Sequence, residues 1–132
     1  MSGTAAILSN NVTLTASYVA STISAPIHGA SHHTLFITYA PDTNSTNAIN
    51  VQIDVSHDGG TTWHVYGQYT NSSGTLSEQA YTISDTSAGT ADQDLVPIVF
   101  EATGTHLRLR ALETNTPGAY GEYTATLRSR SS

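Results

Sequence analysis

Apolar and polar side chains alternate with a period of two along four stretches of this chain. Leu35, Ile37 and Tyr39 alternate with Thr34, Phe36 and Thr38, and Val51, Ile53 and Val55 alternate with Gln52 and Asp54. Leu107, Leu109 and Ala111 alternate with His106, Arg108 and Arg110, and Tyr123, Ala125 and Leu127 with Glu122, Thr124, Thr126 and Arg128. Successive side chains of a strand point to opposite faces, so each stretch predicts a half-buried β-strand with its arginines turned outward. Weaker alternation predicts strands over 12–18, 61–70, 75–83 and 95–101. Pro97 in the last of these removes a ladder donor and implies an edge or a bulge.

Clusters of turn-forming residues separate these stretches, at 40–44, 57–60, 71–74, 102–104 and 116–118. No amphipathic helix lies between them to serve as a parallel crossover, so about eight antiparallel strands follow. The expected fold is all-β, an antiparallel β-sandwich or jelly roll, with a small barrel as the alternative. Ser84 to Asp94 is polar and reads as a long surface loop. Residues 1–11 hold only Ile7 and Leu8 as sizeable aliphatic side chains besides Met1, too little to offset their ordering entropy. They are expected to form a flexible N-terminal arm that orders on a neighbour, with 12–132 as a single β-sandwich domain.

Length and charge narrow the function classes. At 132 residues the chain has the size of one compact domain. Four arginines are its only fixed cations, there is no lysine, and the formal net charge is -6. Such a surface repels nucleic acid and anionic membranes, so neither is an expected partner. No cysteine is present, which removes disulfides, thiolate metal sites and a cysteine nucleophile. The N-terminal stretch lacks the basic start and apolar run of a signal peptide, and no stretch approaches a membrane helix in length. Synthesis in the cytoplasm without secretion is the expectation. Asn-x-Ser/Thr matches at Asn11, Asn44 and Asn71 are what chance produces in so Ser/Thr-rich a chain.

The sharpest local signal is Val55-Ser56-His57-Asp58-Gly59-Gly60-Thr61-Thr62-Trp63. Two glycines can supply positive φ, the aspartate can cap the turn, and Trp63 can anchor the following strand, so this predicts a hairpin. The acidic residues fall mostly in turns, where solvated carboxylates are ordinary, and Asp54 and Glu122 on polar strand sides are as well placed to pair with Arg108 or Arg110 as to do chemistry. No Gly-x-Ser-x-Gly elbow is present. His32 and His33 are adjacent on a strand and point to opposite faces, and Asp92-Gln93-Asp94 lacks the further ligands of a calcium loop. Neither metal, cofactor nor catalytic activity is expected.

Aromatic residues carry the binding expectation. Trp63, Tyr66 and Tyr69 fall in one predicted strand and Phe36 on the polar side of another. Trp63, Val65 and Gly67 share one face while Tyr66 shares the other with His64 and Gln68, so one face is core and the other is free for a sugar ring or a neighbouring subunit. Ordinary core or cross-strand packing is the alternative. Together with Ile7 and Leu8 of the arm, Phe36, Trp63, Tyr66 and Tyr69 form the candidate binding set.

A strand such as Asn50–Ser56 running into Asp58-Gly59-Gly60-Thr61-Thr62-Trp63, then a segment such as Thr103–Arg110, then a last strand such as Tyr123–Leu127, resembles a group of small tailed-bacteriophage virion proteins. The resemblance covers roughly residues 33–130 in ordered style, without an invariant site. It implies a β-sandwich or jelly-roll virion protein, specifically a capsid decoration (cement) protein on the capsid surface. The implied partners are the major capsid protein and further copies of the chain, as a homotrimer. A carbohydrate-binding module, with a glycan as ligand, and a tail or neck component remain the alternatives.

Overall fold

The structure is a computed structural model, and it describes residues 3–41, 48–69, 76–77, 81–84, 93–95, 97–114 and 120–131. The turn clusters expected at 71–74 and 116–118 and residues 42–44 of the one expected at 40–44 lie outside the described residues, as does most of the loop expected over Ser84 to Asp94. In chain order the strands are β1 (Gly3–Thr13), β2 (Val19–Ala20), β3 (Ala25–Pro26), β4 (His32–Ala40), β5 (Ala48–Ser56) and β6 (His64–Tyr69). They continue with β7 (Leu76–Ser77), β8 (Tyr81–Ser84), β9 (Gln93–Asp94), β10 (Ile98–Glu101), β11 (His106–Thr114) and β12 (Glu122–Arg130).

These strands form two sheets, and every pairing among the described residues is antiparallel. The first sheet runs β1-β12-β4-β10, with β9 beside β10 on the same flank of β4; the second runs β2-β11-β5-β6-β7, with β3 on β11 and β8 on β5. The four strongly alternating stretches are β4, β5, β11 and β12, the long central strands. Their apolar sides face one another: Leu35, Ile37, Tyr39, Ala125 and Leu127 from the first sheet meet Val51, Ile53, Leu107, Leu109 and Ala111 from the second, all buried. Removing each such aliphatic side chain from water contributes about 1.5–3 kcal/mol, which holds the two layers together. The expected sandwich is thus the observed fold.

The N-terminal segment differs from the expectation of a flexible arm. Gly3–Thr13 is a full edge strand, paired with β12 from Gly3↔Arg130 to Thr13↔Glu122. Two bulges adapt it to the core. Between Ile7 and Ser9 one extra residue is inserted opposite Ala125, so Leu8 and Ser9 both turn inward and are fully buried. At the second, Asn11 has φ 50° and its N–H donates to the Thr124 hydroxyl oxygen at 3.0 Å. A period-two count across two bulges fails, and hydrogen bonds to β12 replace the apolar surface that the segment lacks.

The strand expected over 12–18 is likewise displaced. β1 ends at Thr13, and Leu14 and Thr15 carry the chain from one sheet to the other: Leu14 N–H donates to Gly121 O, beside β12, and Thr15 O accepts from Glu113 N–H of β11. Pro97 interrupts the edge between β9 and β10, as its missing donor requires. At the end of the loop expected over Ser84 to Asp94, Gln93 and Asp94 instead pair with Tyr39 and Thr38 as β9.

Candidate functional site

The register of the first sheet decides which outward residues become neighbours. Ile7 pairs with Thr126, which pairs with Phe36, placing these three in one row across β1, β12 and β4. The adjacent row holds Ala5, Arg128, Thr34 and Val99. Ile7, Phe36 and Val99 are 58%, 42% and 68% exposed, so this outer face carries an apolar patch open to solvent.

Charge is divided between the two ends of the same face. One end is the row of Arg130, His32 and Glu101 beside Arg128, with His32 Nε2 at 3.6 Å from Glu101 Oε1. Beside it a depression of about 300 Å³ opens between Thr34, Val99, Arg128 and Arg130. The other end carries Asp94 and Glu122; Asp94 Oδ1 accepts from the Thr38 hydroxyl at 2.8 Å, and Glu122 pairs in register with Thr13 and Ala40. Arg130 and Glu122 are eight residues apart on β12, about 27 Å along the strand.

The outer face of the second sheet is organised differently. Asp54 is buried, and its Oδ2 accepts from Arg108 Nε at 3.0 Å and Arg110 Nε at 2.7 Å, while Oδ1 accepts from Arg110 Nη2 at 3.2 Å. The guanidinium of Arg108 lies 4.4 Å from the centre of the Trp63 ring, and that of Arg110 lies 5.6 Å from the Tyr18 ring. Here the polar side of β5 and β11 closes on itself, and of the two readings open for Asp54 the structure shows the pairing with Arg108 and Arg110.

The hairpin between β5 and β6 is built as its sequence suggests. Gly59 and Gly60 take φ of 79° and 94°, which a side chain would strain. The Asp58 carboxylate accepts from the backbone N–H groups of Thr62 at 2.8 Å and Thr61 at 3.2 Å and from the Ser56 hydroxyl at 2.8 Å. Those bonds, led by the one from Thr62 N–H, hold its pKa well below the ordinary carboxylate range. Gly104 packs so tightly on this hairpin that a Cβ would lie 2.6 Å from Ser56 O.

The candidate binding residues therefore do not share a single surface. Ile7 and Phe36 lie in one row on the open face of the first sheet, with Thr126 between them. Leu8 is core, because the β1 bulge turns it inward. Trp63 belongs to the second sheet's outer face, under Arg108. A bulge between Ile53 and Asp54 leaves Tyr66 as the extra residue of β6; its hydroxyl donates to Glu101 O and its ring centre is 5.7 Å from that of Phe100. Both sides of β6 are exposed at Val65 and Tyr66, so neither side is core there, contrary to the sequence expectation. The Tyr69 side chain lies outside the described residues.

Val99, Arg128, Asp94 and Glu122 complete the open face and were not in the candidate set. Val99 had a signal: it alternates with buried Ile98 and Phe100 in β10. As their adjacent positions imply, His33 is buried and His32 faces outward. His33 Nε2–H donates to Ala102 O at 2.9 Å and Nδ1 accepts from the Ser129 hydroxyl at 2.8 Å. Burial pushes the His33 pKa down. Among the described residues no three His, Asp or Glu side chains are grouped to hold a metal ion, and Asp92 lies outside them.

No protein-family model matches the chain, and no curated protein matches it. Solved structures do. The structure of the infectious bursal disease virus Gx strain superposes with a TM-score of 0.58 at 10% identity, over 97% of this chain and 31% of that one. The crystal structure of the infectious bursal disease virus VP2 subviral particle does so with 0.59 at 13% identity, over 97% of this chain and 32% of that one. The chain thus spans about a third of the length of these neighbours, and the likeness is one of fold.

Proposed function

We propose that this chain is a structural protein of a virus particle, working by protein–protein contact and without catalysis. The observation that carries the reading is the open face of the first sheet, where Ile7, Phe36 and Val99 form an exposed apolar patch between charged ends. A patch of that kind on an otherwise polar, acidic surface is what a subunit contact needs: an apolar centre to be desolvated and a charged rim to set orientation. The sandwich fold shared with two virus-particle structures over nearly the whole chain adds support.

More specifically, we propose a bacteriophage decoration protein, synthesised in the host cytoplasm and bound on the capsid surface, where it holds subunits of the major capsid protein in place. Electron microscopy of particles assembled with and without the protein tests this. Regular extra density on the capsid supports it, and absence from purified particles overturns it. The sugar-binding alternative has less support, since Arg108 covers one face of the Trp63 ring and Tyr66 is engaged with Glu101 and Phe100.

A further inference from the structure

We propose that the partner of the open face is a second copy of the chain, bound face to face about a two-fold axis that runs along the row of Ile7, Thr126 and Phe36. This deepens the reading of that face as a protein contact and rests on it, but not on the virion location.

A two-fold axis lying in the contact plane, perpendicular to the strands, lays β12 of one copy antiparallel over β12 of the other. Rows are thereby inverted about the axis. Ile7 meets Ile7 and Phe36 meets Phe36 at the centre, where an aromatic pair contributes most when desolvated. The row of Arg130 comes over the row of Glu122, and the same pairing repeats at the far end by symmetry. Asp94 strengthens the negative field of its end, and Arg128 the positive field of the other. The depression between Thr34, Val99, Arg128 and Arg130 receives the partner's acidic end. Laid parallel, the copies would set the row of Arg130 against itself and the row of Glu122 against itself; with Glu101 kept beside His32 at 3.6 Å, the two arginines favour the antiparallel arrangement.

Among the described residues the second sheet's outer face offers no such match, because Asp54 already takes Arg108 and Arg110. Area sets the strength. Three strands about 30 Å long, β1, β12 and β4, flanked by the short β9 and β10 and spaced about 4.8 Å apart, give a contact near the lower end of stable interfaces, so the association is expected to be weak. Two-fold pairing departs from the homotrimer that the phage resemblance implies.

Sedimentation equilibrium of the full chain over a concentration series tests the pairing, with charge-swapped variants as the specific probe. Wild type is expected to form dimers. Arg128→Glu with Arg130→Glu makes both ends negative, and Asp94→Arg with Glu122→Arg makes both positive, so each variant alone is expected to be monomeric, at least tenfold weaker in association. An equimolar mixture of the two is expected to recover dimers, because each now opposes the other's sign. Circular dichroism of each variant checks the fold, since Asp94→Arg gives up the exposed bond from the Thr38 hydroxyl. A wild-type monomer at high concentration, a trimer, dimers indifferent to the charge changes, or a mixture that stays monomeric would each overturn the proposal. Dimers that never enter particles would sink the virion reading alone; monomers found on particles would sink the pairing alone.

Discussion

The two outer faces of the sandwich are made from the same kind of alternating strand, yet one is closed and the other open. On the second sheet, Asp54 lies in register with Arg108 and within reach of Arg110, and Trp63 and Tyr18 cover the guanidinium groups. Its charges are satisfied within the chain. On the first sheet, Arg128 and Arg130 stand toward one end of a 9-residue strand and Glu122 at the other, with exposed Ile7 and Phe36 in the row between them and no described residue pairing the two ends. The spacing of opposite charges along and across strands decides whether a polar face stabilises its own fold or is left for a partner.

Substitutions can break that contrast, and the largest effect belongs to the closed face. Asp54→Ala leaves two partly buried guanidinium groups without their carboxylate and is expected to cost about 3 kcal/mol in urea unfolding. A cost below about 1 kcal/mol would mean that the ion network is no more than a surface pair. Nearly as large is the difference between neighbours on β1. Leu8→Ala opens a core cavity and should cost about 3 kcal/mol, whereas Ile7→Ala should cost less than about 0.5. Equal, small effects would restore the flexible arm.

An intermediate effect separates the two sides of β4. His33→Leu leaves the Ala102 carbonyl and the Ser129 hydroxyl unsatisfied and should cost about 2 kcal/mol near neutral pH. It should also change the pH profile. Burial lowers the His33 pKa from 6.5, so below that pH the unfolded chain binds the extra proton first. Stability from this group is complete above pH 6.5 and declines as the solution is acidified below it, and the variant lacks that part of the decline.

Smaller still, Trp63→Ala removes the cover over Arg108 and should cost about 1 kcal/mol. The smallest effect on the free chain is expected on the open face. Phe36→Thr combined with Val99→Thr should move unfolding by less than about 0.5 kcal/mol while lowering association in sedimentation. A large loss of stability there would show that the face serves the fold after all.

The central strands were legible because their side chains alternate without interruption, and the hairpin at Asp58-Gly59-Gly60 because turn geometry restricts residue choice locally. The Asp54 network was legible as a pairing because Asp54, Arg108 and Arg110 all fall on the polar sides of their strands. β1 was not legible. Its two bulges shift the inward side of the strand midway, so that Leu8 and Ser9 are buried in succession. The role of Tyr66 was hidden for the same reason, since it is the bulged residue of β6.

Sequence by itself determined which residues point outward from the four central strands, because alternation is a local property of an extended chain. It could not say which outward residues become neighbours. That depends on the register between β1, β12, β4 and β10, segments separated by as much as Gly3 is from Arg130 and aligned only when the core closes. Ile7, Phe36 and Val99 form a patch, with Arg130 and Glu122 at its opposite ends, only because burial of the inner side chains locks that register in place.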